Sequence, residues 1–418
     1  MVRLNWVLVT FLIVYILHEI FVVWIEYLNR KNLKKKGTSV PVELEGFVDG
    51  NKYEKIVSYT RDNSVFSVII QLVSATVLLV IILSGALPSL NNYLEKSLSN
   101  QILIGTIFIV VPSFLLFLIE LPFDYYHTFV LENRYGFNTS TKRTWIGDQV
   151  KGALISFILL SFLIAVVLWT IKFSPGYWWM WAFLSVSVIQ LLLTALYPVV
   201  IAPLFNKFEP LEDQILEKKV GSLMESSGFK VKGIFQMDAG KRSRHTNAYF
   251  TGLGKSKRIV LFDTLLASHP HDEILAVLSH EVGHYKGKHI IKQLLLFEIS
   301  LMVGFYVAYL LLDWKQMYTT FGFSGIKPYA GLFFLSIFWG KAGFFLKPVY
   351  MAVSRKFERA ADLFAARLLG SGESLATALK RMVADNLSNL NPHPLYVWFN
   401  YSHPPILDRI RKLESYKP

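Results

Sequence analysis

Seven stretches of this chain are apolar for long enough to cross a bilayer, and no other feature narrows the fold as much. A helix needs about 20 mainly apolar residues to pass a hydrocarbon core roughly 30 Å thick. Such runs lie at about 5–24, 65–87, 102–122, 152–172, 178–204, 291–313 and 328–352. Pro112 and Pro122 fall in or at the end of the third, and Pro198 and Pro203 interrupt the long fifth. Of the 418 residues 53% are hydrophobic and only 17% charged, where a soluble domain carries about 25% charged residues. The expected fold is mainly α: a polytopic membrane protein with seven transmembrane helices and a water-facing part inserted among them.

The formal charge of +13 is compatible with nucleic-acid binding, but its distribution fits membrane orientation better. Segment 25–64 holds Arg30, Lys31, Lys34, Lys35, Lys36, Lys52, Lys55 and Arg61, whereas 88–101 holds only Lys96. Segment 123–151 is basic again, with Arg134, Lys142, Arg143 and Lys151. The positive-inside rule then places the N-terminus outside and the basic loops in the cytoplasm, and no nucleic-acid partner is expected. The run Asn5 to Trp24 leads into the flank Glu26-Tyr27-Leu28-Asn29-Arg30-Lys31 with no small-residue cleavage site, which predicts a retained anchor. The chain divides into 1–204 (spans one to five with cytoplasmic loops 25–64 and 123–151), 205–290, 291–352 (spans six and seven) and 353–418. The water-facing parts 205–290 and 353–418 are separated by two crossings, so both fall on the cytoplasmic side and can form one domain. Inside the spans His18, Glu19, Glu120, Glu298 and Lys341 read as paired or interfacial groups; Glu298 and Lys341 are also open to a role at a partner or a water-filled cavity.

The chain has no cysteine, so disulfides and thiol catalysis are excluded and any metal must be held by His and carboxylate. Pro270, then Asp272 and Glu273, then the apolar Ile274, Leu275, Val277 and Leu278 predict a helix running into Leu278-Ser279-His280-Glu281-Val282-Gly283-His284-Tyr285. His280 and His284, one turn apart, can share a tetrahedral zinc, and Glu281 between them can take a proton from bound water. An H-E-x-x-H would arise by chance in about 1% of chains of this length, so a third ligand matters. Glu358 and Asp362 lie at i, i+4 on a predicted helix. Alone they would read as an exposed acidic pair amid Arg355, Lys356, Arg359 and Arg367. The topology brings them to the side of His280, where Glu358 can complete the zinc ligands and Asp362 can orient an imidazole. Asn247, Ala248, Tyr249 and Phe250, followed by Arg258 to Phe262, predict a β-hairpin across Gly252-Leu253-Gly254-Lys255-Ser256. Its edge either pairs a substrate backbone or simply supports the metal helix. His127, His245, His269, His271, His289 and His393 are expected at the surface or at helix caps.

Together these residues resemble the type I, zinc-dependent CAAX prenyl endopeptidases, integral-membrane gluzincins, over nearly the whole chain. The resemblance rests on the seven spans, Leu131-Glu132-Asn133-Arg134-Tyr135-Gly136-Phe137-Asn138, Leu204-Phe205-Asn206-Lys207-Phe208, Asn247-Ala248-Tyr249-Phe250-Thr251-Gly252, Phe357-Glu358-Arg359-Ala360-Ala361-Asp362 and Ser402-His403-Pro404-Pro405. It implies spans arranged around a large water-filled chamber, with one Zn2+ per chain on His280, His284 and Glu358 and with Glu281 as general base. It further implies that Asp362 orients a ligand, although this residue has also been assigned as a proton donor in the family, and that His403 and Arg409 stabilise the oxyanion. Read without the resemblance, His403 is a loop histidine between Ser402 and Pro404.

The expected activity is that of a membrane-integrated zinc metalloendopeptidase. The resemblance implies CAAX-type prenylated substrates in a eukaryote, or membrane-protein quality control in a bacterium. The partners expected are a peptide or protein, lipidated or not, and membrane lipid, with the chain a monomer. The lack of cysteine, and of a dibasic ending after Ser415-Tyr416-Lys417-Pro418, favours the bacterial inner membrane over the ER. Two rivals are an intramembrane metalloprotease, disfavoured by Lys286, Lys288, His289 and Lys292 after the motif, and a zinc-containing transporter or receptor. A structural zinc would want a fourth protein ligand, and the sequence offers none.

Overall fold

A computed structural model describes residues 2–37, 39–228, 233–251 and 258–417. Among the described residues seven helices are long and apolar enough to cross a membrane. They are Trp6–Lys36, Gly50–Leu83, Gln101–Tyr135, Lys142–Phe173, Trp178–Leu204, His289–Leu312 and Pro328–Leu369, the third, fifth and seventh running through short π or 3-10 turns. Each packs against the next along the chain and the seventh returns to the first, which closes a ring. Only 0–33% of each apolar window is buried, so most of each span's surface faces lipid or the inside of the ring. One end of the ring is pinched where the third span also meets the seventh. There Phe108, Phe321, Phe323, Tyr329, Phe333 and Phe334 form an aromatic plug. Gly105 permits the approach, since a Cβ at that position would lie 2.8 Å from Tyr329 Cβ.

Hydropathy marks where lipid ends, not where a helix ends, and the expected loops 25–64 and 123–151 are mostly helical. The first span runs on to Lys36 with its last turn carrying Lys34, Lys35 and Lys36, and the second begins at Gly50, capped by Asp49. The third continues through a π-helical turn, His127–Glu132, into Asn133–Tyr135. The second ends at Leu83 rather than 87, and a separate helix, Ala86–Ser97, follows the left-handed Gly85. The extensions around the expected loops are stabilised by burial. Leu44, Tyr53, Ile56, Leu131, Tyr135 and Phe137 share one core with Leu375, Leu379, Leu387, Leu407 and Ile410 of the C-terminal part.

Inside the spans Glu19 is ion-paired, Glu120 and Glu298 accept only from serines, and Glu298 Oε1 is buried with no hydrogen-bond partner among the described residues. Lys341 bonds Glu19, which also meets His18 and accepts from Gln71. Ser74 donates to Glu120 at 2.8 Å and Ser187 to Glu298 at 2.5 Å.

The head carries a four-stranded sheet of β1 (Phe208–Pro210), β2 (Gly233–Met237), β3 (Ala248–Thr251) and β4 (Arg258–Phe262) in the order β1-β2-β4-β3. β3 pairs antiparallel with β4, Ala248 opposite Leu261, as the hairpin pattern predicts, although Asn247 just precedes the strand. The predicted turn Gly252–Ser256 lies outside the described residues. β2, parallel to β4, and β1 extend the hairpin into a sheet and leave β3 on its edge. Buried Ile259 and Leu261 pack with Ile274, Val277 and Leu278, which seats the metal-motif helix on one face of the sheet.

Candidate metal centre

The helix carrying H-E-x-x-H, His271–Lys286, starts after Pro270 and has Asp272 and Glu273 in its first turn. Glu273 is also anchored sideways: Arg381 donates to both of its carboxylate oxygens, at 2.8 and 2.9 Å. Ala276, Leu278 and Val282 are fully buried and fix the helix in the head. Its partner is the helix Lys347–Leu369, which continues span seven through the turn Phe344–Leu346. The first helix leads into span six through Gly287 and Lys288, so both meet where spans six and seven emerge at the same end of the ring.

Three donor side chains converge there. His280 Nε2 and His284 Nε2 are 3.0 Å apart, Glu358 Oε2 is 3.3 Å from the first and Oε1 3.2 Å from the second. A tetrahedral ion with bonds of about 2.05 Å has ligands about 3.3 Å apart. The three groups are therefore spaced as three corners of such a polyhedron. Glu358 Oε2 is buried and makes no hydrogen bond, which is costly unless a cation satisfies it. A nitrogen and carboxylate set of this kind fits a divalent metal. Among the described residues it is the only group of at least three His, Cys, Asp or Glu close enough to hold one.

Close helix packing makes this convergence possible. Gly283, between the two histidines, faces Ala361: a Cβ there would lie 2.9 Å from Ala361 Cα and 3.1 Å from its carbonyl oxygen. The far nitrogens of both imidazoles also have neighbours. His280 Nδ1 lies 2.8 Å from Asp362 Oδ1, one turn beyond Glu358. His284 Nδ1 lies 3.1 Å from His289 Nδ1, whose ring stacks on Phe357 at 4.3 Å.

His289 opens the helix His289–Leu312 and is buried beside the site rather than at the surface. Helical spacing misplaces it because the chain breaks at Lys288, which is left-handed at φ 52°. His269 is buried against Ser268 at the C-cap of the helix Asp263–Ser268, and His393 caps the helix Pro394–Asn400.

Asp362 is gripped by Arg409, whose Nε and Nη2 donate at 2.9 and 2.6 Å. Arg409 Nη1 is 3.9 Å from Glu358 Oε2. His403 reaches the same cluster, its Nε2 3.2 Å from Glu358 Oε1, while 55% of its side chain stays exposed. Its Nδ1 is 2.8 Å from Ser402 Oγ. Glu281 has no hydrogen bond or ion pair to another described residue. Burial, opposed by His280 and His284, raises its carboxyl above the ordinary range. Burial would depress His280, but its contacts with the Asp362 and Glu358 carboxylates outweigh it and push the imidazole up to about 9.

Of the strand residues, Asn247 donates no ladder bond, but its Oδ1 accepts from Ala248 N at 2.8 Å. Ala248 is buried, and Tyr249 and Phe250 are half-buried on the edge strand.

A His-His-Glu group spaced for a metal, where spans six and seven leave a ring of membrane helices, fits a multi-pass membrane metallopeptidase. Known proteins narrow the class. Residues 29–207 match the family model described as CAAX prenyl protease N-terminal, five membrane helices, and residues 210–417 match that of peptidase family M48. The chain is 34% identical to a CAAX prenyl protease 1 homolog of Arabidopsis thaliana, over 93% of this chain and 94% of that one. It is 34% identical to CAAX prenyl protease 1 of Saccharomyces cerevisiae, over 92% and 90%. It is 30% identical to the Homo sapiens homolog, over 93% and 91%. The crystal structure of S. mikatae Ste24p superposes with a TM-score of 0.92 at 30% identity, covering 99% of this chain and 100% of that one. The chain belongs to the CAAX prenyl proteases of peptidase family M48 and is a membrane metalloendopeptidase. The transporter or receptor alternative finds no support.

Proposed function

We propose that the chain uses one zinc ion, on His280, His284 and Glu358, to hydrolyse a peptide bond near the prenylated C-terminal cysteine of membrane-associated CAAX-type proteins. The observation that carries this reading is the 3.0–3.3 Å triangle of donor atoms at the mouth of the ring. The substrate class is supported by the names of the relatives, all from eukaryotes. When bound, zinc supplies Lewis acidity and lowers the pKa of a coordinated water towards about 7.

The chain's own residues do the rest. Glu281, freed of hydrogen bonds and raised in proton affinity by burial, takes the proton of the attacking water and returns it to the leaving amine. Asp362, fixed by Arg409, holds His280 at Nδ1 so that Nε2 faces the metal. His403 Nε2 and the remaining Arg409 nitrogen, both beside Glu358, stabilise the charge that develops on the carbonyl oxygen. The β3 edge, with Asn247, Ala248, Tyr249 and Phe250, pairs the substrate in extended form. Parts 205–290 and 353–418 form the catalytic head, and 1–204 and 291–352 the walls. The basic segments 25–64 and 123–151 support a cytoplasmic head. A prenylated substrate requires a cell that prenylates proteins, which favours an ER-type membrane over the bacterial inner membrane.

The test is Glu281→Gln in purified, zinc-loaded protein, assayed on prenylated and unprenylated peptides. Zinc is retained and cleavage falls at least ~100-fold. Undiminished cleavage by the variant would remove Glu281 from the reaction. Wild type that cuts neither peptide would remove the substrate assignment.

A further inference from the structure

The run Leu131 to Asn138 contributes nothing to the donor triangle, yet its Glu132 joins a hydrogen-bonded group of the head. We propose that Glu132, His245 and Asn386 form a positioning clamp that ties the root of β3 to the membrane spans and so sets where an extended substrate lies relative to the metal. The inference rests on the reading of β3 as the substrate-pairing strand.

Glu132 is the last residue of the π-helical turn that ends span three, and only 9% of it is exposed. Such turns insert an extra residue and re-aim the side chains that follow, often at functional positions. Here the carboxylate turns towards the head. Tyr59 Oη of span two donates to it at 2.7 Å, and His245 Nε2 lies 3.2 Å away. His245 Nδ1 is 3.2 Å from Asn386 Oδ1, the same oxygen that accepts from Thr246 N at 3.0 Å. Asn386 Nδ2 returns to Thr246 Oγ1 at 3.2 Å. Both ring nitrogens of His245 thus face oxygens, one from the membrane part and one from the helix Glu373–Asn386.

The motif's glycine adds a second hold. Gly136 is left-handed at φ 83° and reverses the chain so that Phe137 stacks on the His245 ring at 4.0 Å. Phe137 O accepts from Arg244 N at 3.0 Å, and Asn138 bridges to Ser243. Arg242 meets Asp148 of span four at 2.7 and 3.0 Å and Asn206 at 3.0 Å. Residues 242–246 are therefore held by groups from the end of span three and from span four, with Tyr59 of span two backing Glu132, and β3 begins two residues later.

An edge strand has a ladder on one side only, so its outer face follows any movement of its root. A displaced edge forfeits the backbone hydrogen bonds it would make to the substrate, and a loss of such uniform binding appears in KM. The donor triangle has separate supports in Ala361, Asp362 and His289. Loosening the clamp should then change substrate alignment and leave metal binding alone.

The experiment uses full-length protein in lipid nanodiscs, with Glu132→Gln and His245→Phe. The first keeps volume and one acceptor oxygen. The second keeps the stack on Phe137 and loses both polar contacts. Metal content, thermal midpoint, kcat and KM are measured with a prenylated peptide and with a depsipeptide in which the backbone N–H that would face β3 is replaced by an ester oxygen.

Wild type should lose roughly tenfold in kcat/KM on the ester, the worth of one good hydrogen bond. The variants should keep full metal and lose roughly tenfold on the amide peptide, mainly through KM, with a smaller further loss on the ester. Glu132→Gln should retain more activity than Glu132→Ala. A wild type indifferent to the ester overturns the reading of β3 itself. With wild type sensitive, variants that keep wild-type KM and the full ester penalty overturn the clamp, even if their thermal midpoint falls. Loss of metal in Glu132→Gln overturns it too.

Discussion

Gly283→Ala sets two opposite effects against each other. In an exposed helix the change stabilises by about 0.5–1 kcal/mol, because alanine gives up less backbone entropy. Here the new Cβ would sit 2.9 Å from Ala361 Cα, 3.1 Å from Ala361 O and 3.1 Å from Phe364 Cβ. The first two are backbone atoms of the opposing helix, so relief requires the helices to separate by about 0.5–1 Å, at an overpacking cost of about 1–3 kcal/mol. Overpacking wins. Glu358 lies one turn before that contact, and metal sites tolerate about ±0.2 Å in their bonds, so the displacement opens the donor triangle. Metal affinity should fall about 10–100-fold, measured by competition with a chromophoric chelator in detergent-solubilised protein, and activity should return at high metal concentration. If affinity stays within twofold of wild type and the thermal midpoint rises, the two helices are not in the contact described.

Metal uptake should also depend on pH. His280 is held protonated up to about 9 by Asp362 and Glu358, so below that pH a metal must displace a proton, and log affinity should rise by about one per pH unit up to about 9; a flat profile between pH 7 and 8.5 contradicts this. His289→Ala removes the neighbour of His284 Nδ1 and should weaken metal binding about 10–100-fold without abolishing it, as read by the same chelator competition. Arg381→Ala strips the guanidinium from Glu273, whose side chain is 6% exposed against 36% for Arg381. It should cost about 1–3 kcal/mol, reduced by that partial exposure, and lower the thermal midpoint with kcat unchanged.

The spans were legible because hydropathy sums over a whole crossing, and their parity placed the helix of Glu358 on the side of His280. Ring closure was not legible, since which span neighbours which depends on packing partners. The extension from Gly50 escaped for another reason: its apolar residues Tyr53 and Ile56 face a core shared with Leu131, Tyr135 and C-terminal residues such as Leu379 and Ile410. β1 and β2, with three and five residues, are too short to show a period. At the site, His280 and His284 are readable from one helical turn. The part of Gly283 is hidden in the identity of its neighbour Ala361, and that of His289 in a left-handed lysine. Glu132 stood in a quoted motif, but its carboxylate points to the head only because a π-helical turn re-aims it.

The central claim is that His280, His284 and Glu358 hold one metal and leave one position open to water. Zinc K-edge X-ray absorption on the purified protein, with metal-to-protein ratio measured on the same sample, addresses it directly. The expected result is one zinc per chain with two imidazole nitrogens and carboxylate and water oxygens at about 2.0–2.2 Å, and loss of the carboxylate scatterer in Glu358→Ala. Three or more imidazoles on the metal, or a shell unchanged by Glu358→Ala, would contradict it.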